Sequence, residues 1–256
     1  MILHSVQEIK DMTGWLEKAP PAKKELHWKP GRSAYELAAY MIRSLTTGPA
    51  EIMQCLMEAG INTAQIFDWE GEAVTDFAGQ GLGRGSGRHH DTALWNDDVF
   101  VGIEAKADEP LDKRANEWLS CVSGNPNRFE NRKKRLNGLC RMIWGEDYND
   151  TKHGEIRYQL LTALGGVLLE ANGCTEKRGG QKKNAVLLIM TFLKAGDDCS
   201  GRPYVTSAKV CRNEKDIDQF LSTLPNWDPS TGRVKTAFGE ENHIEAFVKH
   251  ITICVK

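Results

Sequence analysis

The sequence predicts an α/β protein, on three observations. Two apolar runs, Thr92–Trp95 and Val99–Ala107, flank the turn-forming trio Asn96-Asp97-Asp98 and read as a β-hairpin. Ala185–Phe192 is a continuous apolar run of strand length. Around them lie segments with helical apolar spacing, among them Leu160, Leu164, Val167 and Leu168. The chain has 256 residues, enough for one large domain with a well-filled core. Its 40% hydrophobic and 27% charged residues are ordinary for a soluble globular protein.

Residues 1–32 read as an N-terminal arm, with Pro20-Pro21 and Pro30 marking irregular backbone and Trp15 and Trp28 anchoring it on the body. Residues 33–256 form the single main domain. Ser33-Ala34-Tyr35-Glu36 has capping-box spacing and opens a helix with Leu37, Met41 and Leu45 on one face. Pro49 starts a short helix carrying Ile52, Cys55, Leu56 and Met57, which stops at Gly60. Ala64–Phe77, broken by Glu70-Gly71-Glu72, reads as a first strand or hairpin. Gly79–Arg88 is glycine-rich, with two equal readings: a flexible connector, or a loop that admits a phosphate backbone between Arg84 and Arg88. It lacks Gly-Lys-Ser/Thr and precedes a strand, which argues against a nucleotide P-loop.

After the hairpin, Pro110–Cys121 and Arg128–Trp144 read as helices. The second carries Arg128, Arg132, Lys133, Lys134, Arg135 and Arg141, a density that makes a phosphate-contacting surface as good a reading as a solvated face. Glu155–Asn172 is a helix ended by Gly173. Glu176–Lys183 is a second basic patch on an exposed loop or hairpin. Tyr204–Val210 reads as a strand, Ile217–Leu224 as a short helix and His243–Val255 as a partly β-like end.

The net charge of −2 argues against a protein that coats DNA over its whole surface, not against a local basic face. Seven cysteines without a Cys-x-x-Cys pair suggest reduced thiols. Met1–Glu8 has no signal-peptide core, and Ala185–Met190, the longest apolar run, is too short to span a bilayer. The expectation is a cytoplasmic protein that does not engage membranes.

The hairpin carries the chemistry. With Asp97-Asp98 as a two-residue loop, opposed positions sum to 195, so Asp91 faces Glu104 and His89 faces Lys106. A four-residue loop gives the same pairing; a three-residue loop breaks it. Phe100, Gly102, Glu104 and Lys106 share one face of the second strand, while Val99, Val101, Ile103 and Ala105 form an apolar, buried one. Facing carboxylates are destabilising without a cation between them. Hard divalent cations take carboxylate oxygens, and a neighbouring lysine can orient a water or help deprotonate it. The plain alternative is a salt bridge between Glu104 and Lys106. His89-His90 invites a zinc reading, but adjacent strand residues point to opposite faces.

Asp91, followed after twelve residues by Ile103-Glu104-Ala105-Lys106 on an apolar strand, resembles the PD-(D/E)xK nuclease superfamily. The resemblance covers roughly residues 33–194 and departs at His90, where the family often has proline. It implies a restriction-endonuclease-like fold, a central mixed β-sheet flanked by helices. It also implies a Mg²⁺- or Mn²⁺-dependent nuclease acting on nucleic acid, most simply DNA. Asp91 and Glu104 would hold the cation and Lys106 would orient the attacking water, with Glu36 and Gln159 auxiliary. Glu36 has a competing role as the capping-box acid. Arg84, Arg88, Arg132, Lys133, Lys134 and Arg135 are the candidate nucleic-acid contacts, and a homodimer is left open. The rivals are a non-catalytic member binding nucleic acid or a protein, and metal-dependent chemistry on a nucleotide or other phosphoester.

Overall fold

A computed structural model describes residues 1–22, 24–194 and 207–255. Among them, seven strands form one mixed sheet: β1 (Ile2–Ser5), β2 (Ile66–Thr75), β3 (Arg88–Trp95), β4 (Val99–Lys106), β5 (Asn184–Lys194), β6 (Arg233–Val234) and β7 (Ala246–Val255). Their order is β1-β2-β3-β4-β5-β7-β6. β2, β3 and β4 pair antiparallel, whereas β4, β5 and β7 run parallel. The protein is thus α/β, with a mixed sheet flanked by helices. None of its described helices is long and apolar enough to cross a membrane.

Helices cover both faces, because β5 is apolar on both sides and cannot face water on either. Every residue of β4 is buried. On one side Val99, Val101, Ile103 and Ala105 pack with residues of α1 (Met12–Lys18), α3 (Ser33–Arg43) and α4 (Ala50–Glu58). The short α2 (Lys24–His27) lies before α3. On the other side Phe100 packs in a core built from α5 (Ala115–Ser120), α6 (Pro126–Trp144) and α8 (Tyr158–Ala171). The remaining helices are α7 (Asp150–His153), α9 (Ser207–Thr223) and α10 (Ala237–Asn242).

The N-terminal residues do pack on the body, with Trp15 stacked on Trp69 at 5.3 Å, but they are more than an arm. Ile2–Ser5 forms the edge strand parallel to β2. Ala64–Phe77 resolves as one strand rather than a hairpin, and Glu72 takes a left-handed φ of 51° where the sequence looked broken.

Three further expectations shift. The helix expected from Pro110 begins only at Ala115, because Leu111 is buried and the Asp112 N–H is taken by the Gln159 side chain. The helix expected from Glu155 begins at Tyr158, with Arg157 as its N-cap. Of the expected strand Tyr204–Val210, residues 204–206 lie outside the described residues, and Ser207–Val210 are helical. Val210, Ile217, Phe220 and Leu221 form a buried helical stripe, which outweighs the local β-propensity. The expected helix Ile217–Leu224 is therefore the end of α9. The second basic patch is largely spent internally: Lys177 and Arg178 bond Glu70, Arg178 also bonds Glu170, and Lys183 donates to the Arg178 carbonyl.

Candidate active site

The hairpin turn forms because Asn96 accepts from the Asp98 and Val99 N–H groups through its side-chain oxygen, at 2.9 and 3.0 Å. The register is the 195-sum one: Trp95 pairs with Phe100, Leu94 with Val101, Ala93 with Gly102 and Thr92 with Ile103. The ladder then stops. Asp91 Oδ2 instead accepts from the Ala105 N–H at 2.7 Å, so its carboxylate closes the gap where the two strands part. On the other side, the β2–β3 pairs sum to 163, which sets Glu72 opposite Asp91; this pair alone drops out of the ladder between Gly71–Thr92 and Ala73–His90. Glu72, Asp91, Lys106 and Gln159 line a cleft of about 760 Å³ at this break.

Beneath it Glu104 is wholly buried between two cations. Arg88 donates to its Oε2, and Lys106 Nζ stands 2.8 Å from its Oε1. That second contact is an ion pair without hydrogen-bond alignment. Burial lowers the Lys106 ammonium from its ordinary range, and the Asp91 charge partly offsets this. Burial also lowers Arg88, opposed by Asp91 and Glu72. The Glu72 carboxyl is pushed up to about 8, first by burial and then by the Asp91 charge. Glu72 therefore holds its proton more tightly than an ordinary glutamate, facing Asp91 across the break.

His90 fills the position beside Asp91 and points into the core. Its Nε2 lies 3.0 Å from Thr75 Oγ1 and its ring meets Phe100 edge-on. Two glycines make the room: a Cβ on Gly102 would come 2.8 Å from the imidazole, and one on Gly166 2.9 Å. Burial, then the Arg88 charge, drives the His90 pKa well below its ordinary value. The unfolded chain takes up a proton as pH falls through about 6.5, whereas the folded chain does not. Stability is therefore present above that pH and declines below it, by at most about 1.4 kcal/mol per pH unit for this one site. His90→Gln should remove one proton's worth of that slope, read as the pH dependence of the urea midpoint. An unchanged slope would mean that His90 is protonated in the folded protein.

The other expected residues divide. Gln159 lines the cleft and accepts the Asp112 N–H through Oε1. Glu36 does not line it; its carboxylate accepts the Gly31 N–H at 2.7 Å. Its capping role is also displaced, since α3 begins after Arg32 and the Ser33 N–H goes to Glu109. His89 is exposed, with Nδ1 3.9 Å from Glu72, rather than opposite Lys106. Asp108 is drawn away by Arg32 at 3.0 Å.

Of the six basic candidates, Arg84, Lys133 and Lys134 are exposed and Arg132 is half-buried. Arg88 is committed to Glu104. Arg135 is buried and spends its guanidinium on the carbonyls of Leu82, Arg84 and Ser86. Those bonds, with Asn131 bonding both the N–H and the carbonyl of Arg84, tie the glycine-rich loop to α6. The flexible-connector reading of that loop gives way to a fixed one.

Sequence reasoning missed Glu72. Its one signal was the acid-glycine-acid interruption of a strand, and only the β2–β3 register shows that it meets Asp91. No three His, Cys, Asp or Glu side chains among the described residues are arranged to hold a metal as a cage. The oxygens that could serve a cation bound mostly by water belong to Asp91, Glu72 and Glu104.

Fold and cleft together define an α/β protein whose central hairpin parts to expose acids and a buried lysine. The chain belongs to the family described as a domain of unknown function, DUF6946, whose model matches residues 8–252. No curated protein and no solved structure matches it.

Proposed function

We propose that this chain is a metal-dependent nuclease of PD-(D/E)xK type, hydrolysing phosphodiester bonds in nucleic acid, most simply DNA. The observation that carries the reading is the convergence of Asp91, Glu72 and Lys106 on one cleft at the point where β3 and β4 separate. The side chains suit a hard divalent cation such as Mg²⁺ or Mn²⁺. Such ions keep several waters and need only one or two carboxylates. Here Asp91 and Glu72 bring two carboxyl groups together in one cleft, close enough that the Asp91 charge raises Glu72. Asp91 and Glu104 would hold the ion, with Glu72 beside them. When bound, it would supply Lewis-acid stabilisation of the charge that develops on the phosphate.

Lys106 does the proton work. An ammonium lowered by burial gives up its proton more readily, so Nζ can orient the attacking water and accept from it. Glu104 fixes Nζ in place, and Asp91 fixes the strand edge through Ala105. Gln159 stands at the rim, where its amide can position a phosphate oxygen.

A non-catalytic, nucleic-acid-binding role is the second reading, favoured by the grip of Arg88 on Glu104 Oε2. One assay separates them: purified chain with plasmid, linear duplex and single-stranded substrates, with Mg²⁺, Mn²⁺ or chelator. Cation-dependent cleavage is expected. Binding without cleavage under every condition would overturn the nuclease reading in favour of the second.

The basic surface is expected to act on affinity. Arg84, Lys133 and Lys134 point to solvent, so replacing all three by alanine removes up to three phosphate contacts. The slope of log K against log salt should fall by roughly 0.9 per contact on duplex DNA. A slope unchanged from wild type would make these residues a solvated face only.

A further inference from the structure

Beside the acidic cleft lies a second one of about 510 Å³, and the two share Asp112 and Gln159 in their walls. Its character is different. Trp118 and Tyr158 stack with ring centroids 3.8 Å apart and planes within 13°. The Arg132 guanidinium carbon stands 4.5 Å from the centroid of the same Trp118 ring. Two groups that close to one ring cannot share a face, so Trp118 is sandwiched between a phenol and a guanidinium plane. Arg132 is held there by the Trp118 carbonyl and by Cys121 Sγ. The glycine-rich loop, tied to α6 by Arg135 and Asn131, also lines this cleft, with Arg84 exposed.

Guanidinium planes and aromatic faces are the surfaces on which unpaired bases stack, whatever their sequence. A paired base cannot reach such a surface without leaving its helix. A cleft of this volume lies in the range of pockets that take small organic ligands. The nearby cations, Arg84 and Arg132, suit the phosphate that accompanies a base.

We propose that this second cleft is a subsite for an unpaired nucleobase of a single strand, seated on the outer face of the Arg132 guanidinium, which Trp118 and Tyr158 back from behind. The strand would run past Gln159, in the wall the two clefts share, toward Asp91 and Lys106. The direction of the strand rests on the nuclease reading of the neighbouring cleft; the base subsite does not. The substrate class is thus single-stranded nucleic acid, or a strand end or flap, rather than continuous duplex.

The test is equilibrium binding of the full chain to a short fluorescent single strand and to the matching duplex, in chelator so that no cleavage occurs. Wild type should prefer the single strand. Trp118→Leu, which removes the plane that holds the Arg132 guanidinium flat, should weaken single-strand binding by roughly tenfold, the scale of one base stack, and leave duplex binding nearly unchanged. Because Trp118 also packs against the core, Arg132→Gln serves as a second variant and should act in the same direction. No preference for the single strand, or losses that are equal on both substrates, would overturn the proposal. Full competition by a free mononucleotide at matched concentration would also overturn it, by making the ligand a nucleotide. Failure of cation-dependent cleavage with the strand preference intact would sink the nuclease reading alone. Cleavage with no effect of either variant on single-strand binding would do the reverse.

Discussion

Lys106→Met is expected to lower the cleavage rate by roughly 10²–10⁴, the range for loss of a positioned proton-transfer group. Methionine keeps most of the side-chain length and fills the buried channel, and Arg88 stays on Glu104 Oε2, so the chain should still fold, at some cost in stability. Lys106 is 6% exposed, and its amine meets Glu104 Oε1 at 2.8 Å. Removing the amine leaves that oxygen free for a cation, so Mn²⁺ affinity should hold or rise while turnover falls. Single-turnover cleavage at saturating Mn²⁺, with Mn²⁺ binding measured separately, reads the two effects. Wild-type rates in a preparation free of contaminating nuclease would remove Lys106 from the chemistry and return the pair to an ordinary salt bridge.

Arg88→Ala is expected to destabilise the fold by about 3–5 kcal/mol, the cost of stripping one partner from a buried ion pair. Glu104 has no solvent exposure and the Arg88 side chain only 9%, so water cannot replace the lost guanidinium. Lys106 remains on the other oxygen, which places the effect toward the lower end of that range. Arg88→Met combined with Glu104→Gln removes both charges of that pair and should recover part of the loss, with Lys106 left beside an amide oxygen instead of a carboxylate. Urea denaturation of the two variants measures this. An Arg88→Ala protein within about 1 kcal/mol of wild type would show that Glu104 is not ionised against Arg88.

The hairpin was readable because its information is local. Asn96 sets the turn, and the turn sets a register that four observed pairs follow. The apolar parity of β4 follows from the same alternation. What was not readable depends on partners distant in sequence. Glu72 meets Asp91 only through the β2–β3 register. Arg88 and Arg135 looked like phosphate ligands, yet their charges are used inside the protein, one on Glu104 and one on loop carbonyls. Charge density on a helix says nothing about which cations have internal acceptors. Ser207–Val210 went astray for another reason: a local run favoured a strand, while the stripe that makes it helical extends a further three turns.

The early end of the β3–β4 ladder has a consequence for robustness. Beyond Ile103 the course of β4 is governed by its parallel neighbour, up to the pairing of Lys106 with Thr191, and β5 in turn leans on β7. The lysine is therefore mounted on the rigid centre of the sheet, not on the tip of the hairpin. Substitutions at Asp97-Asp98 that keep the loop length can alter the turn without displacing the lysine. One parallel neighbour thus supports the whole strand from Val99 to Lys106, and the lysine depends on that ladder more than on the hairpin partner.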